Sequence, residues 1–254
     1  MQFAKRSWQT LGGTSAGKAL HLAGLGITVR LCSPLGEDDD GRRVSHALTA
    51  AGVGVEGIRS EHTERHVNLM TDDGQRVSLY VSVPSTPTQE GLDAAEAAVA
   101  GADVAVLDLS ELGALLLERG EVHKKPLWVD LHDYDGASGF HEPFLGAADA
   151  VFMNDDRVAD PWELLASCLQ RGPRLAVCTR GANGAIAMEA DGTRHKVPAV
   201  PAAVVDTNGA GDAFMAGFLA ATLQGGTVAD ALTSGAAQAC VAIESEHIHP
   251  ALGT

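Results

Sequence analysis

The segment Val205–Leu219, VDTNGAGDAFMAGFL, sets an aspartate behind three small residues at the start of an apolar, helix-like run. A helix start leaves backbone N–H groups without intrahelical partners and carries partial positive charge, so it suits an anion. Gly209 and Gly211 permit close approach, which lets the N–H groups of Gly209, Ala210 and Gly211 converge on one anion. Asp212, in the first helical turn, could then take the proton of a hydroxyl that attacks phosphorus in line. Asp206 and Thr207 ahead of it can cap locally through their side-chain oxygens. The same residues also fit a plain Asx turn with an acidic first turn, in which Asp212 only complements the helix dipole. Residue physics alone leaves both readings open.

The elements that must position this segment alternate along the chain. Helical spacing predicts helices over 15–25, 38–51, 89–100, 111–119, 161–170, 210–223 and 228–244. Apolar runs predict strands over 27–32, 103–109, 127–131, 150–153 and 175–179, near-continuous as parallel strands covered on both faces are. Two hairpins stand out: Val67–Met70 with Val77–Val81 around Asp73-Gly74, and 181–197 around Asp191-Gly192. The expected architecture is an α/β three-layer sandwich with a mainly parallel central sheet and a small β lid.

At 254 residues the chain can bury a full core, and 45% apolar residues argue against disorder. A net charge of −15 argues against a nucleic-acid or anionic-membrane binder but leaves room for phosphate held locally by N–H groups and one cation. No apolar run is long enough to span a bilayer and MQFAKRSWQT lacks a signal-peptide stretch, so the cytoplasm is the expected compartment. Cys32, Cys168, Cys178 and Cys240 are widely spaced and read as free thiols, with no metal-ligand spacing. His247 and His249, with Glu246, read as solvated surface.

DTNGAGDAFMAGFL resembles the C-terminal signature of the ribokinase-like, or PfkB, carbohydrate kinases. The resemblance implies that Asp212 is the catalytic base and that the backbone of Gly209, Ala210 and Gly211 is the anion hole. LGGTSAGKALHLAGLGITVRLCSPLGEDDDG (11–41) is similar to the family's N-terminal signature, which would put Gly12 and Gly13 against the sugar. AVFMN (150–154) looks like the strand ending in a nucleotide-side Asn, here Asn154. VCTRGANGA (177–185) resembles the segment lining the ATP phosphates and ribose, which implicates Thr179, Gly181 and Gly184. Asp206 and Thr207 join this nucleotide side. The P-loop pattern GxxxxGK[ST] is absent.

Four departures from the family pattern bear on the site. Relatives begin with a strand carrying a substrate-binding Asp; here only eleven residues precede Gly12, so Phe3–Trp8 supplies a shortened substitute or the natural chain is longer. The family's Asn after Gly-Gly falls at Gly17, beside Lys18, which could bind an anionic or polar substrate or be a solvated helix residue. The Asn-x-x-Glu motif of the magnesium–phosphate region reads Asn154-Asp155-Asp156-Arg157, with Asp155 or Asp156 as substitutes for the lost charge. The "D-P-N" strand end reads Asp130-Leu131-His132, which brings His132, Asp133 and Asp135 to a carboxyl end, as a pocket or as a wet loop. The lid, about 63–83, offers Arg65 and Asn68 to a substrate.

The expectation is a single ribokinase-like kinase unit over 1–254, short at its N-terminus, that phosphorylates a hydroxyl of a sugar-like substrate with ATP and Mg2+. The resemblance implies a homodimer through the lid sheet. A nucleoside kinase and a non-catalytic ligand-binding relative are the alternatives, the first disfavoured by a lid whose only aromatic is Tyr80. A dinucleotide oxidoreductase is set aside, because LGGTSAG follows no convincing strand.

Overall fold

The computed structural model describes residues 4, 5, 7–70 and 76–253; Phe3, Arg6 and the Asp73-Gly74 turn lie outside these. Helix α1 (Thr14–Gly24) leads into β1 (Arg30–Gly36), α2 (Asp39–Ala50) and β2 (Gly54–Ser60). The hairpin strands β3 (Arg65–Met70) and β4 (Arg76–Ser82) follow. Next come α3 (Gln89–Ala100), β5 (Ala105–Asp108), α4 (Glu111–Arg119), β6 (Leu127–Asp130), α5 (Glu142–Ala147), β7 (Ala150–Asn154), α6 (Pro161–Leu169) and β8 (Leu175–Thr179). The hairpin β9 (Ala185–Glu189) and β10 (Arg194–Val197) precedes the closing helices α7 (Ala210–Leu223) and α8 (Val228–Ile243).

The main sheet has the order β10-β9-β8-β7-β6-β5, parallel from β5 to β8 and antiparallel beyond. Its strands alternate faces with the period of two that pleating imposes. Val129, Val151 and Met153 face a core with Leu116 and Leu165, while Trp128, Phe152 and Val177 face Phe214 and Phe218 of α7 and Leu232 of α8. Two apolar layers on one sheet give the three-layer sandwich expected from the sequence. No helix among the described residues is long and apolar enough to cross a membrane.

The helices start where local chemistry supplies a cap. Asp38 accepts from Gly41 N–H at α2, Thr88 from Gly91 N–H at α3, and Ser110 from Gly113 N–H at α4. Asp160 caps α6 ahead of Pro161, and Thr227 forms a capping box with Asp230 at α8.

Several boundaries differ from the sequence reading. Strand β1 begins at Arg30, not at residue 27, because the chain leaving α1 first turns back, with Ile27 N–H donating to Leu22 O. Its partner β2, parallel from Arg30↔Gly54 to Gly36↔Ser60, carries two glycines and no clear alternation, and the sequence reading passed over it, as it did over the short α5. The described residues of Phe3–Trp8 form no strand. Among the described residues, β1 therefore has no strand partner on the side away from β2, and β5 has none on the side away from β6. His247 and His249 are not solvated surface: His247 Nδ1 lies 2.8 Å from Thr10 Oγ1, and the His249 ring meets His21 edge-on at 4.6 Å. Burying the 245–253 segment against α1 encloses Ile248 in the small core with Leu20 and Leu48. The four cysteines are free.

Candidate active site

Because β5 to β8 run parallel, their carboxyl ends share one edge of the sheet, where open α/β folds bind ligands. Asp108 ends β5, Asp130 ends β6 opposite it, and Asn154 and Thr179 end β7 and β8 in register. With strands ~4.8 Å apart, this row spans three intervals, about 14 Å. Helix α7 lies over the same edge with Asp212 in its first turn.

The N-cap of α7 is Gly209 at φ 78, in the left-handed region, and no side chain caps the helix. Its first-turn N–H groups, Ala210 and Gly211 among them, are thus not consumed by a side chain. Asp206 and Thr207 shape the approach: Asp206 Oδ1 accepts from Asn208 N–H at 2.9 Å, and Thr207 O accepts a long bond from Ala210 N–H at 3.4 Å. The Asx turn at Asp206 thus stands directly before a helix start that no side chain caps.

Lys18 is the centre of the site. It projects from α1, is only 3% exposed, and its ammonium lies 2.7 Å from Asp212 Oδ1, 2.8 Å from Asp108 Oδ1 and 2.9 Å from Asp130 Oδ2. Two of its N–H groups donate to Asp212 and Asp108, and Asp130 is a third ion-pair partner, so Lys18 is not a solvated helix residue. Ser15, one turn earlier, donates to Asp108 Oδ2. Burial works against the Lys18 charge, but Asp130, Asp108 and Asp212 together hold its pKa well above the ordinary lysine value. Burial likewise opposes ionisation of Asp108, yet Lys18 and the Ser15 hydrogen bond hold it below its usual value. Asp212 goes the other way: burial pushes it up to about 7, with Asp130 and Asp108 adding to the rise and Lys18 opposing it.

Gly17 makes room for this carboxylate. A Cβ at Gly17 would stand 3.0 Å from Asp212 Cβ and 3.1 Å from Asp212 Oδ2, so α1 approaches α7 this closely only with glycine there. Asp212 Oδ1 is taken by Lys18, and Oδ2 has no hydrogen-bond donor among the described residues.

The remaining sequence-derived candidates fall into three groups. Gly12 and Gly13 precede α1 beside the cluster, with the lid's His66 ring 3.7 Å from where a Gly12 Cβ would stand. His132, at φ 52, follows Asp130, and its Nδ1 is 3.6 Å from Asp130 Oδ2. On the nucleotide side, Asn154 Oδ1 accepts from Asp156 N–H at 3.1 Å and Thr179 Oγ1 donates to Met153 O at 3.3 Å. Gly181 opens a single 3-10 turn after β8 and Gly184 leads into β9. On the hairpin, Arg65 pairs with Asp40 at 3.4 Å, and Asn68 Oδ1 accepts from Ser78 Oγ at 2.7 Å, while Met70 Sδ lies 3.4 Å from Asn208 Nδ2. Arg157 pairs with Asp133 at 2.8 Å, and Asp155 with Arg180 at 3.2 Å. Asp108, Asp130, Ser15 and His66 were not singled out from the sequence. Asp108 and Asp130 had a signal, since each is the acidic last residue of an apolar parallel strand.

Asp108, Asp130 and His132 bring one donor atom each within 4.8 Å of one another, compact enough for a cation. The cation among them is the Lys18 ammonium, so this group does not fit a resident metal ion. Asn154, Asp155 and Asp156 after β7 also carry oxygen donors, of which Asn154 Oδ1 accepts from Asp156 N–H and Asp155 pairs with Arg180.

A buried aspartate at an uncapped helix start, facing the carboxyl edge of a parallel sheet, is the arrangement of a phosphotransferase of the sugar-kinase type. The chain matches the pfkB family of carbohydrate kinases over residues 3–248 and belongs to it. It is 33% identical to the acarbose 7(IV)-phosphotransferase of Actinoplanes sp., over 89% of this chain and 77% of that protein. It is 31% identical to the ATP-dependent ribose-1-phosphate kinase of Halopiger xanaduensis, over 92% of this chain and 80% of that protein. Among solved structures it resembles a microbiome-derived acarbose kinase, with TM-score 0.81 and 26% identity over 96% of this chain and 86% of that one. It shares its fold with Arabidopsis thaliana ribokinase complexed with ribose and ATP, with TM-score 0.81 and 23% identity over 99% of this chain and 87% of that one. Family membership and fold support a kinase of the sugar or nucleoside type.

Proposed function

We propose that this protein transfers the terminal phosphoryl group of ATP to a hydroxyl of a sugar or sugar-like acceptor, with Asp212 as general base. The observation that carries the reading is the placement of Asp212: 9% exposed, in the first turn of a helix with no side-chain cap, and with a pKa pushed up by burial to about 7. A base poised near neutral pH takes a proton and releases it again readily. The acceptor hydroxyl stands against the Asp212 carboxylate; its proton passes to that carboxylate as the new O–P bond forms and the bond to the departing ADP oxygen breaks. The N–H groups of Gly209, Ala210 and Gly211 hold the equatorial oxygens of the transferred group. Asn154, Thr179, Gly181 and Gly184 take the nucleotide, with Asp206 and Thr207 framing its phosphate end. Magnesium, when bound with the nucleotide, supplies charge neutralisation between its phosphates. Gly12 and Gly13 bear on the acceptor, and the hairpin at 63–83 is its lid.

Two of the relatives are named for a phosphotransfer to acarbose and to ribose 1-phosphate, which makes oligosaccharide-like and pentose acceptors the first to try. A reaction fed by ATP fits the cytoplasm. The lid also presents Val67, Leu69, Leu79 and Val81 to solvent, and we propose that a second copy of the chain covers them. The test of activity is ATP consumption with acarbose, ribose, ribose 1-phosphate, fructose and nucleosides, with the product identified by mass. Phosphorylation of one sugar supports the reading. Calorimetric binding of ATP–Mg and of a sugar without turnover of any acceptor overturns it in favour of a ligand-binding relative.

A further inference from the structure

We propose that Lys18 is a positioning residue for the transfer: its ammonium, hydrogen-bonded to Asp212 and Asp108 and ion-paired with Asp130, keeps the Asp212 carboxylate ionised and commits Oδ1 so that Oδ2 is the oxygen presented to the acceptor. This inference rests on Asp212 being the base. Lysine is almost never fully buried unless paired, and here it is paired three times over within 2.9 Å. The geometry accounts for both carboxylate oxygens. Oδ1 receives the ammonium at 2.7 Å, and Oδ2 faces the space that Gly17 keeps clear.

Three carboxylates this close cannot all be ionised without a compensating charge. From α1 the groups facing Asp212 are Lys18 and, through Asp108, Ser15; from β5, Asp108; from β6, Asp130, with His132 beyond it. Lys18 is the one cation permanently charged among them. Without it, Asp108 and Asp130 would drive Asp212 towards its protonated form, which cannot accept the acceptor's proton. A lysine in this place serves as a built-in counter-ion for a carboxylate cluster that would otherwise suit a metal ion.

The test is a 13C NMR titration of the full chain labelled at the aspartate Cγ, run on wild type, D212N, K18M and K18R. In wild type one aspartate should titrate near pH 7 and be absent from D212N. In K18M that resonance should move up by at least one pH unit, and in K18R it should stay within half a unit of wild type. Should K18M fail to fold, K18M/D108N removes one buried anion together with the cation; the resonance should then still lie above that of D108N alone, because the direct bond to Oδ1 is lost, but by less than in K18M, since the lost Asp108 charge offsets part of the rise. With an acceptor from the sugar panel, the rate of K18M should be at least tenfold low at pH 7 and recover towards pH 9, with KM for ATP unchanged. A K18M resonance at the wild-type position, or a rate loss equal at every pH, overturns the role given to Lys18. If D212N keeps its full rate, the base assignment itself fails, and that outcome is distinct from an inactive D212N with an unmoved K18M titration.

Discussion

Replacing Gly17 by alanine puts one methyl group between the helix that carries Lys18 and the one that carries Asp212. Its carbon would stand 3.0 Å from Asp212 Cβ and 3.1 Å from Oδ2. Contacts this close are tighter than most, so the aspartate must give way by a few tenths of an ångström. Misplacing a reacting group by about 1 Å costs on the order of 100-fold in rate. Stability responds much less. Overpacking costs about 1–3 kcal/mol, and alanine in place of glycine inside a helix returns about 1 kcal/mol. The net loss of roughly 0–2 kcal/mol lowers Tm by no more than about 8 °C in a domain of this size. G17A is therefore expected to be folded, to bind ATP–Mg as wild type does, and to lose about 5- to 10-fold in kcat. Coupled kinase assays beside calorimetry and thermal melting measure all three. A folded G17A with kcat within threefold of wild type would refute the argument that the α1–α7 approach sets the position of Asp212.

Three further expectations test separate parts of the molecule. Asp38 accepts from Gly41 N–H, Thr63 N–H and Thr63 Oγ1–H, and these bonds hold its pKa at about 2. A depressed carboxylate contributes stability that is complete above the unfolded value and is lost as pH falls through the folded one, so D38N should flatten the fall of Tm between about pH 4 and pH 2. His21 is buried and neutral, receiving from Gln238 Nε2 and donating to Ile248 O, and burial with His249 nearby lowers its pKa to about 4. Wild-type stability should therefore drop as pH falls from about 6.5 to about 4, and H21Q should lose less over that window in urea melts. If the lid faces pair between two copies, L79E should convert a dimer into a monomer by light scattering; an unchanged mass would rule out that face as the interface.

The sandwich was legible because its strands are near-continuous apolar runs and its helices repeat apolar residues at helical spacing, as Val44, Ala47, Leu48 and Ala51 do. Strand β2 was not, because Gly54 and Gly57 interrupt its pattern and only pairing with β1 makes it a strand. On the site, local spacing offered the α7 segment as an anion site or as a plain Asx turn, and only the resemblance to the PfkB signature chose between them. The lysine–carboxylate cluster could not be read from spacing: its four charged members come from α1, β5, β6 and α7, and Lys18 and Asp212 are separated by 194 residues. A lone lysine on a helix reads as a solvated residue or a ligand contact until the fold brings its counter-charges to it. The lid shows the converse, since Arg65 and Asn68 could be named from its sequence but are occupied by Asp40 and Ser78.

The central claim is that Asp212 removes the acceptor's proton, and the most direct test is D212N measured with an acceptor that the wild-type protein phosphorylates. Asparagine keeps the shape and removes the base. The account predicts a fall in kcat/KM of about 100- to 10,000-fold, with the affinity for ATP–Mg within about threefold of wild type. Turnover by D212N at the wild-type rate would contradict it.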